Sequence, residues 1–174
     1  MKLDEIRRRT AYNPNALPNV KAATRTWISG MANDFPLALT LTLKQTIVKD
    51  TPKGTVRRTI TKQDCERITL RFQQKLNFAV FGNAAKRHGK TLKYLPVVEG
   101  ERSGKNLHLH FAIGNLPKHV RFNQFDALVC QAKKYVEHVD EQHKVDIADS
   151  GWLEYITKET ATKHSENVLW QLVK

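Results

Sequence analysis

Hydrophobic and polar residues alternate along two stretches of this chain. Each stretch predicts a β-strand, where successive side chains point to opposite faces. In Phe35-Pro-Leu-Ala-Leu-Thr-Leu-Thr-Leu43 the alternation sets Leu37, Leu39, Leu41 and Leu43 on one face and Ala38, Thr40 and Thr42 on the other. In Asn106-Leu-His-Leu-His-Phe-Ala-Ile-Gly114 it turns Leu107, Leu109 and Phe111 toward a core and leaves Asn106, His108 and His110 on the opposite face. A third strand is expected at Tyr94-Leu-Pro-Val-Val-Glu99, with Leu95, Val97 and Glu99 sharing a face. Between it and the His strand lies a polar turn, Gly100 to Asn106, so the two most simply form an antiparallel hairpin.

Helical periodicity accounts for most of the remainder. Thr61-Lys-Gln-Asp64 is a capping-box variant, followed by a helix over about 62–88 whose stripe is Ile68, Phe72, Leu76, Val80 and Phe81, with Gly89 ending it. A second helix, over about 122–136, carries Phe125, Leu128, Val129, Ala132 and Val136. Val145 to Ala148 can add a short strand, and a third helix is expected over about 151–160. The tail Val168-Leu-Trp-Gln-Leu-Val173 is apolar enough to pack as strand or helix. Residues 1–34 read as a leader broken by Asn13-Pro-Asn-Ala-Leu-Pro18, in which Val20 to Met31 can form a short helix. Residues 35–174 are the folded domain, with a basic hairpin insertion or a solvated loop at 44–60 around Asp50-Thr-Pro-Lys-Gly54. The expected fold is α+β, an antiparallel sheet of about five strands with helices packed mainly on one face.

Composition narrows the setting. The chain has 174 residues, 40% of them apolar and 26% charged, which suits a single globular domain. No apolar run nears the roughly 20 residues of a membrane helix. The start, Met1-Lys-Leu-Asp-Glu-Ile-Arg-Arg-Arg9, lacks a signal peptide's apolar core. Cys65, expected near a helix start, and Cys130, expected buried in a helix, fit neither a disulfide framework nor a metal spacing. A cytoplasmic location, in a bacterial or host cell, and no membrane partner are expected. Lys plus Arg exceeds Asp plus Glu by 29 to 17, a net charge of +12, which favours a polyanionic partner such as nucleic acid over a merely basic surface.

The candidate chemistry lies at two places. Two imidazoles two residues apart on a strand can share one divalent metal, although two histidines on a half-solvated sheet face need none. A carboxylate on the neighbouring strand would complete a His, His, Glu set suited to Mn²⁺ or Mg²⁺, and to zinc less exclusively. Glu99 is the favoured third ligand, with Glu101 in the predicted turn as its competitor. Tyr155 and Lys158, three apart on the last expected helix, stack on one face. A phenol holds its proton to about pH 10, so a neighbouring ammonium and a metal-bound phosphate would favour its attack. The plainer alternative is a packed tyrosine beside a Lys158–Glu154 pair.

Glu99, the apolar-His-apolar-His-apolar stretch 107–111 and Tyr155-Ile-Thr-Lys158 together resemble the HUH superfamily of single-strand DNA nickases. The single tyrosine with lysine three residues on is similar to its replication-initiator branch, and Phe35 to Leu43 looks like that branch's first motif. The resemblance implies a motif strand near the centre of the sheet. It implies a cation held by His108, His110 and Glu99, attack by Tyr155 to leave a 5′-phosphotyrosine, and a Lys158 that contacts the phosphate or helps to position the metal. The implied partners are single-stranded DNA at a replication origin, which can be a hairpin, and a host polymerase and helicase. No nucleotide-binding G-x-x-x-x-G-K-[ST] occurs here, so unwinding would come from a host enzyme or from a missing C-terminal part. Specificity would come from the 44–60 hairpin, including Arg57 and Arg58, and from the turn 100–106. The other tyrosines, Tyr12, Tyr94 and Tyr135, lie far from Tyr155 in sequence, so no paired-tyrosine helix is expected. A single-tyrosine transposase of the same superfamily and a non-catalytic DNA-binding module are the rival readings. A cupin-like metalloenzyme would want a Glu soon after the second histidine, and Phe111 to Pro117 has none.

Overall fold

The computed structural model describes residues 23, 26–101, 106–149, 151–157 and 167–174. Lys158, most of the leader and residues 102–105 of the predicted turn lie outside the described residues. In chain order the elements are β1 (Leu37–Leu43), β2 (Thr46–Thr51), β3 (Gly54–Thr59), α1 (Lys62–Phe81) and α2 (Asn83–Arg87). Then come β4 (Lys93–Glu99), β5 (His108–Gly114), α3 (Phe122–Lys133), β6 (Val139–Ile147) and α4 (Trp152–Ile156). Short 3-10 turns occupy Ala32–Asp34 and Trp170–Leu172.

The main sheet has the order β4-β5-β1-β6, and every neighbouring pair is antiparallel. Among the described residues it has four strands, where a single sheet of about five was expected. The hairpin β2–β3 is a separate two-stranded ladder. Its residues are mostly polar and exposed on both faces, so it has no apolar side to lay on the sheet. The tail comes close to making a further strand. It runs beside β4 with one bridge, Val97 to Val168, and backbone bonds between Tyr94 and Lys174, but the 3-10 turn at Trp170 interrupts the ladder.

Both faces of the sheet are covered. Leu37, Leu39, Leu41, Leu109, Phe111 and Ile113 meet Ile68, Phe72 and Leu76 of α1 and Phe125, Val129 and Ala132 of α3. That layer holds both long helices. On the opposite face Leu95, Val97 and Ala112 meet Ile28, Phe35, Leu153, Ile156 and Val168, supplied by short segments from both ends of the described chain. The leader's residues 26–30 are helical, and Ile28 among them is buried.

Helix α1 starts where the sequence places it. The Thr61 hydroxyl accepts from the Asp64 backbone N–H, and the Asp64 carboxylate accepts in turn from the Thr61 N–H at 2.9 Å. It stops earlier than expected, because Gly82 takes φ 56° and breaks the run into α1 and α2 well before Gly89. Helix α3 likewise ends at Lys133, although Val136 beyond it stays buried. Strand β6 is longer than the expected 145–148. Its first half is polar edge strand with no apolar rhythm to reveal it. Cys65 is buried, and that burial pushes its thiol up to about 12. Cys130 corrects the expectation of a buried helix cysteine. It is exposed, because the inward stripe of α3 runs through Phe125, Val129 and Ala132 and Cys130 sits one residue round from it.

Candidate metal centre

Three adjacent strands assemble one cluster on the second face. Alternation along β5 sends His108 and His110 away from Leu109 and Phe111. The β4 register sets Glu99 opposite His108 and Val97 opposite His110, and the β1 register sets Thr40 opposite His110. Cross-strand partners share a face, so Glu99, Thr40 and both imidazoles converge. Gly100 lets β4 turn off directly after Glu99. Its φ is 112°, and a Cβ there would lie 2.5 Å from the Asn106 carbonyl oxygen.

The Glu99 Oε2 atom lies 2.7 Å from His110 Nε2 and 3.4 Å from His108 Nε2. The side chains of His110 and Glu99 are 5% and 16% exposed, so the pair is largely shielded from bulk water. Each ring is held from behind through Nδ1. His108 Nδ1 lies 3.1 Å from the Asn106 backbone carbonyl, and His110 Nδ1 lies 2.9 Å from Thr40 Oγ1. A carbonyl only accepts, so the Asn106 contact favours the His108 tautomer protonated on Nδ1, in which Nε2 is free to ligate a metal. The Glu99 carboxylate only accepts, so at 2.7 Å His110 Nε2 donates to it and the Thr40 hydroxyl donates to Nδ1. A metal on Nε2 would move the proton to Nδ1, with the same hydroxyl then accepting it. This is the arrangement in which second partners orient histidine ligands. One ligand atom from each of Glu99, His108 and His110 lies within 4.8 Å of the others, and the group can hold a metal ion. Glu101, the competing carboxylate, is exposed in the turn. Two nitrogens and a hard oxygen suit a divalent ion of the manganese, magnesium or zinc kind.

Helix α4 lies over this cluster. Leu153 and Ile156 are buried beneath it in the second core, and the Trp152 indole donates to the Phe111 carbonyl at 3.3 Å. The Trp152 and Tyr155 rings stack with centroids 5.8 Å apart, and they stand edge-on to His110 at 5.4 and 5.8 Å. Tyr155 is nonetheless 48% exposed, so a large substrate can reach it. A cleft of about 470 Å³ opens beside His108, lined by Thr42, Gln45, Asn106, Asp140 and Gln142 among others.

The structure therefore brings together four of the five residues singled out from the sequence, and Lys158 lies outside the described residues. Thr40 and Trp152 were missed as parts of the site. The Leu/Thr alternation did place Thr40 on the polar face, but not opposite a histidine. Trp152 precedes Tyr155 by three residues, a spacing that puts both on one helix face. Arg58 also pairs with the buried Asp64 carboxylate at 2.5 and 2.8 Å, while its side chain stays 45% exposed on the hairpin beside Arg57.

The fold and site define an α+β protein whose antiparallel sheet carries a His, His, Glu cluster able to hold a metal ion, with a tyrosine beside it. No protein-family model matches the chain, and no curated protein or solved structure is significantly similar to it. Among the described residues no helix is long and apolar enough to cross a membrane.

Proposed function

We propose that this protein is a metal-dependent, site-specific single-strand DNA endonuclease and strand transferase of the HUH replication-initiator type. The observation that carries this reading is Tyr155, which a separate helix delivers to 5.8 Å from the His110 ring. A tyrosine beside a metal-binding cluster, half-exposed and on a chain of net charge +12, has the access and the surroundings to act on a phosphodiester.

Glu99, His108 and His110 would hold Mn²⁺ or Mg²⁺, which polarises a bound phosphate and offsets the charge that develops on it. The Tyr155 oxygen attacks phosphorus as the bond to the 3′-oxygen breaks. The phenol gives up one proton and the leaving 3′-oxygen takes one up. One phosphodiester is exchanged for another, so no nucleotide cofactor is consumed. Lys158 would contact the transferring phosphate or help to position the metal. Attack by a later 3′-hydroxyl reverses the step and releases joined DNA, in keeping with rolling-circle initiation that relies on a host helicase and polymerase.

The test is a denaturing gel of the protein with single-stranded oligonucleotides from its own replicon, with Mn²⁺ or with EDTA. A slower covalent band that needs metal and vanishes in Tyr155→Phe is expected. Tight DNA binding with no covalent band on any oligonucleotide would overturn the enzyme reading and leave a binding module. A band surviving in Tyr155→Phe would overturn the choice of nucleophile.

A further inference from the structure

A second set of metal-binding donors lies on the other face of the sheet, away from the His108–His110 pair. Asp126 and Cys130 are four residues apart on α3 and so leave the helix on the same side. His143 stands on the edge strand β6, opposite Leu41 of β1, and so shares the face over which α3 packs. His143 Nε2 lies 3.0 Å from Asp126 Oδ1 and 3.9 Å from Cys130 Sγ. One donor atom from each of the three lies within 4.8 Å of the others.

A simple Asp–His hydrogen bond accounts for the shorter contact. It does not account for a sulfur converging on the same ring nitrogen. Bonds of about 2.0–2.3 Å around a tetrahedral ion give ligand-to-ligand edges of about 3.3–3.6 Å. The two observed separations bracket that range, so small side-chain adjustments close the site. Sulfur, nitrogen and oxygen together select a borderline ion, whereas magnesium and calcium favour all-oxygen sets.

We propose that Asp126, Cys130 and His143 form a zinc site that clips α3 to the edge strand β6, with a fourth position open to water. The proposal does not rest on the nuclease reading. Mechanically the clip has a purpose, because β6 is the outermost strand and most of its residues are polar. Metal on Nε2 requires the ring proton on Nδ1. The Lys133 ammonium, now 3.1 Å from His143 Nδ1, must then draw back and keep its contact with the Glu141 carbonyl. Lys133 is thus a competitor for His143 and not a ligand.

Cobalt substitution into the full chain, stripped of metal and kept reduced, provides the test. Cobalt bound by a thiolate absorbs in the near ultraviolet through sulfur-to-metal charge transfer. The band is expected in the parent protein, in His110→Ala and in Lys133→Met, to be displaced by one equivalent of zinc, and to be lost in Cys130→Ser. A thermal melt of each variant accompanies the spectra, and zinc is expected to raise the midpoint wherever the band is present. Absence of the band in the parent, its survival in Cys130→Ser, or its loss in Lys133→Met would each overturn the assignment. Loss in His110→Ala with retention in Cys130→Ser would place the metal at the first cluster alone and overturn it too.

Discussion

A histidine ligand is usually oriented through its second nitrogen, and at this site the holding groups are as informative as the ligands. Thr40 Oγ1 lies 2.9 Å from His110 Nδ1 and braces the ring from behind. Thr40→Val keeps the shape and the strand propensity but removes the hydrogen bond. Metal affinity at the first cluster is expected to fall by about 10–100-fold, the usual effect of losing such a partner, with little change in folding. Calorimetric titration with Mn²⁺ measures it, and unchanged affinity would mean that packing alone orients the ring. The sequence showed Thr40 on the correct face, because a period of two is a local property of one strand. It also favoured Glu99 over Glu101, because an acid closing an apolar row differs from an acid in a turn. Neither observation says which strand lies beside which, and the Thr40–His110 contact depends on that.

At the scale of elements, the start of α1 is the most legible junction in the chain, and it is more heavily built than its motif suggests. Asp64 is buried, caps the helix through Thr61, and also takes hydrogen bonds from Arg58 and Arg67. The Arg58 guanidinium chiefly, with Thr61 and Arg67, holds its carboxyl far below the usual carboxylate range, against the opposing effect of burial. A depressed folded-state pKa contributes stability above the unfolded value of about 3.9, and that contribution is lost as pH falls below it. Asp64→Asn is therefore expected to cost about 2 kcal/mol at pH 7, from a weakened cap and lost charged hydrogen bonds, both arginines being free to return to water. The gap between variant and parent should narrow below pH 4. Urea melts across that range check it, and a gap independent of pH would remove the charged form from the explanation. Helix ends inside the chain were harder to read. Gly82 looks like a tolerated glycine in a helical pattern until its positive φ is seen, and β6 hides because an edge strand has no need of an apolar row.

Across the whole molecule, the last described segment joins the two layers. Val168 is buried in the second core, Leu169 and Leu172 in the first, and the same residues run beside β4, the strand that carries Glu99. Deleting residues 167–174 would remove three buried apolar side chains, at about 2–5 kcal/mol for each large one, against a typical domain stability of about 5–15 kcal/mol. The shortened chain is expected to lose cooperative thermal unfolding and, with it, metal binding at Glu99, His108 and His110. Circular dichroism melts and Mn²⁺ titration would show this, and a cooperative, metal-binding product would mean that the tail is only an accessory cover. By itself the sequence determined the α+β class, the inward faces of β1, β5, α1 and α3, the helix cap at Thr61 and the short list of chemical side chains, since each follows from local periodicity or from residue type. Only the tertiary structure decided the strand order β4-β5-β1-β6, the separation of the β2–β3 hairpin, the placing of Tyr155 beside His110 and the meeting of Asp126 and Cys130 with His143. Those are contacts between residues far apart in the chain, and no local rule of spacing encodes them.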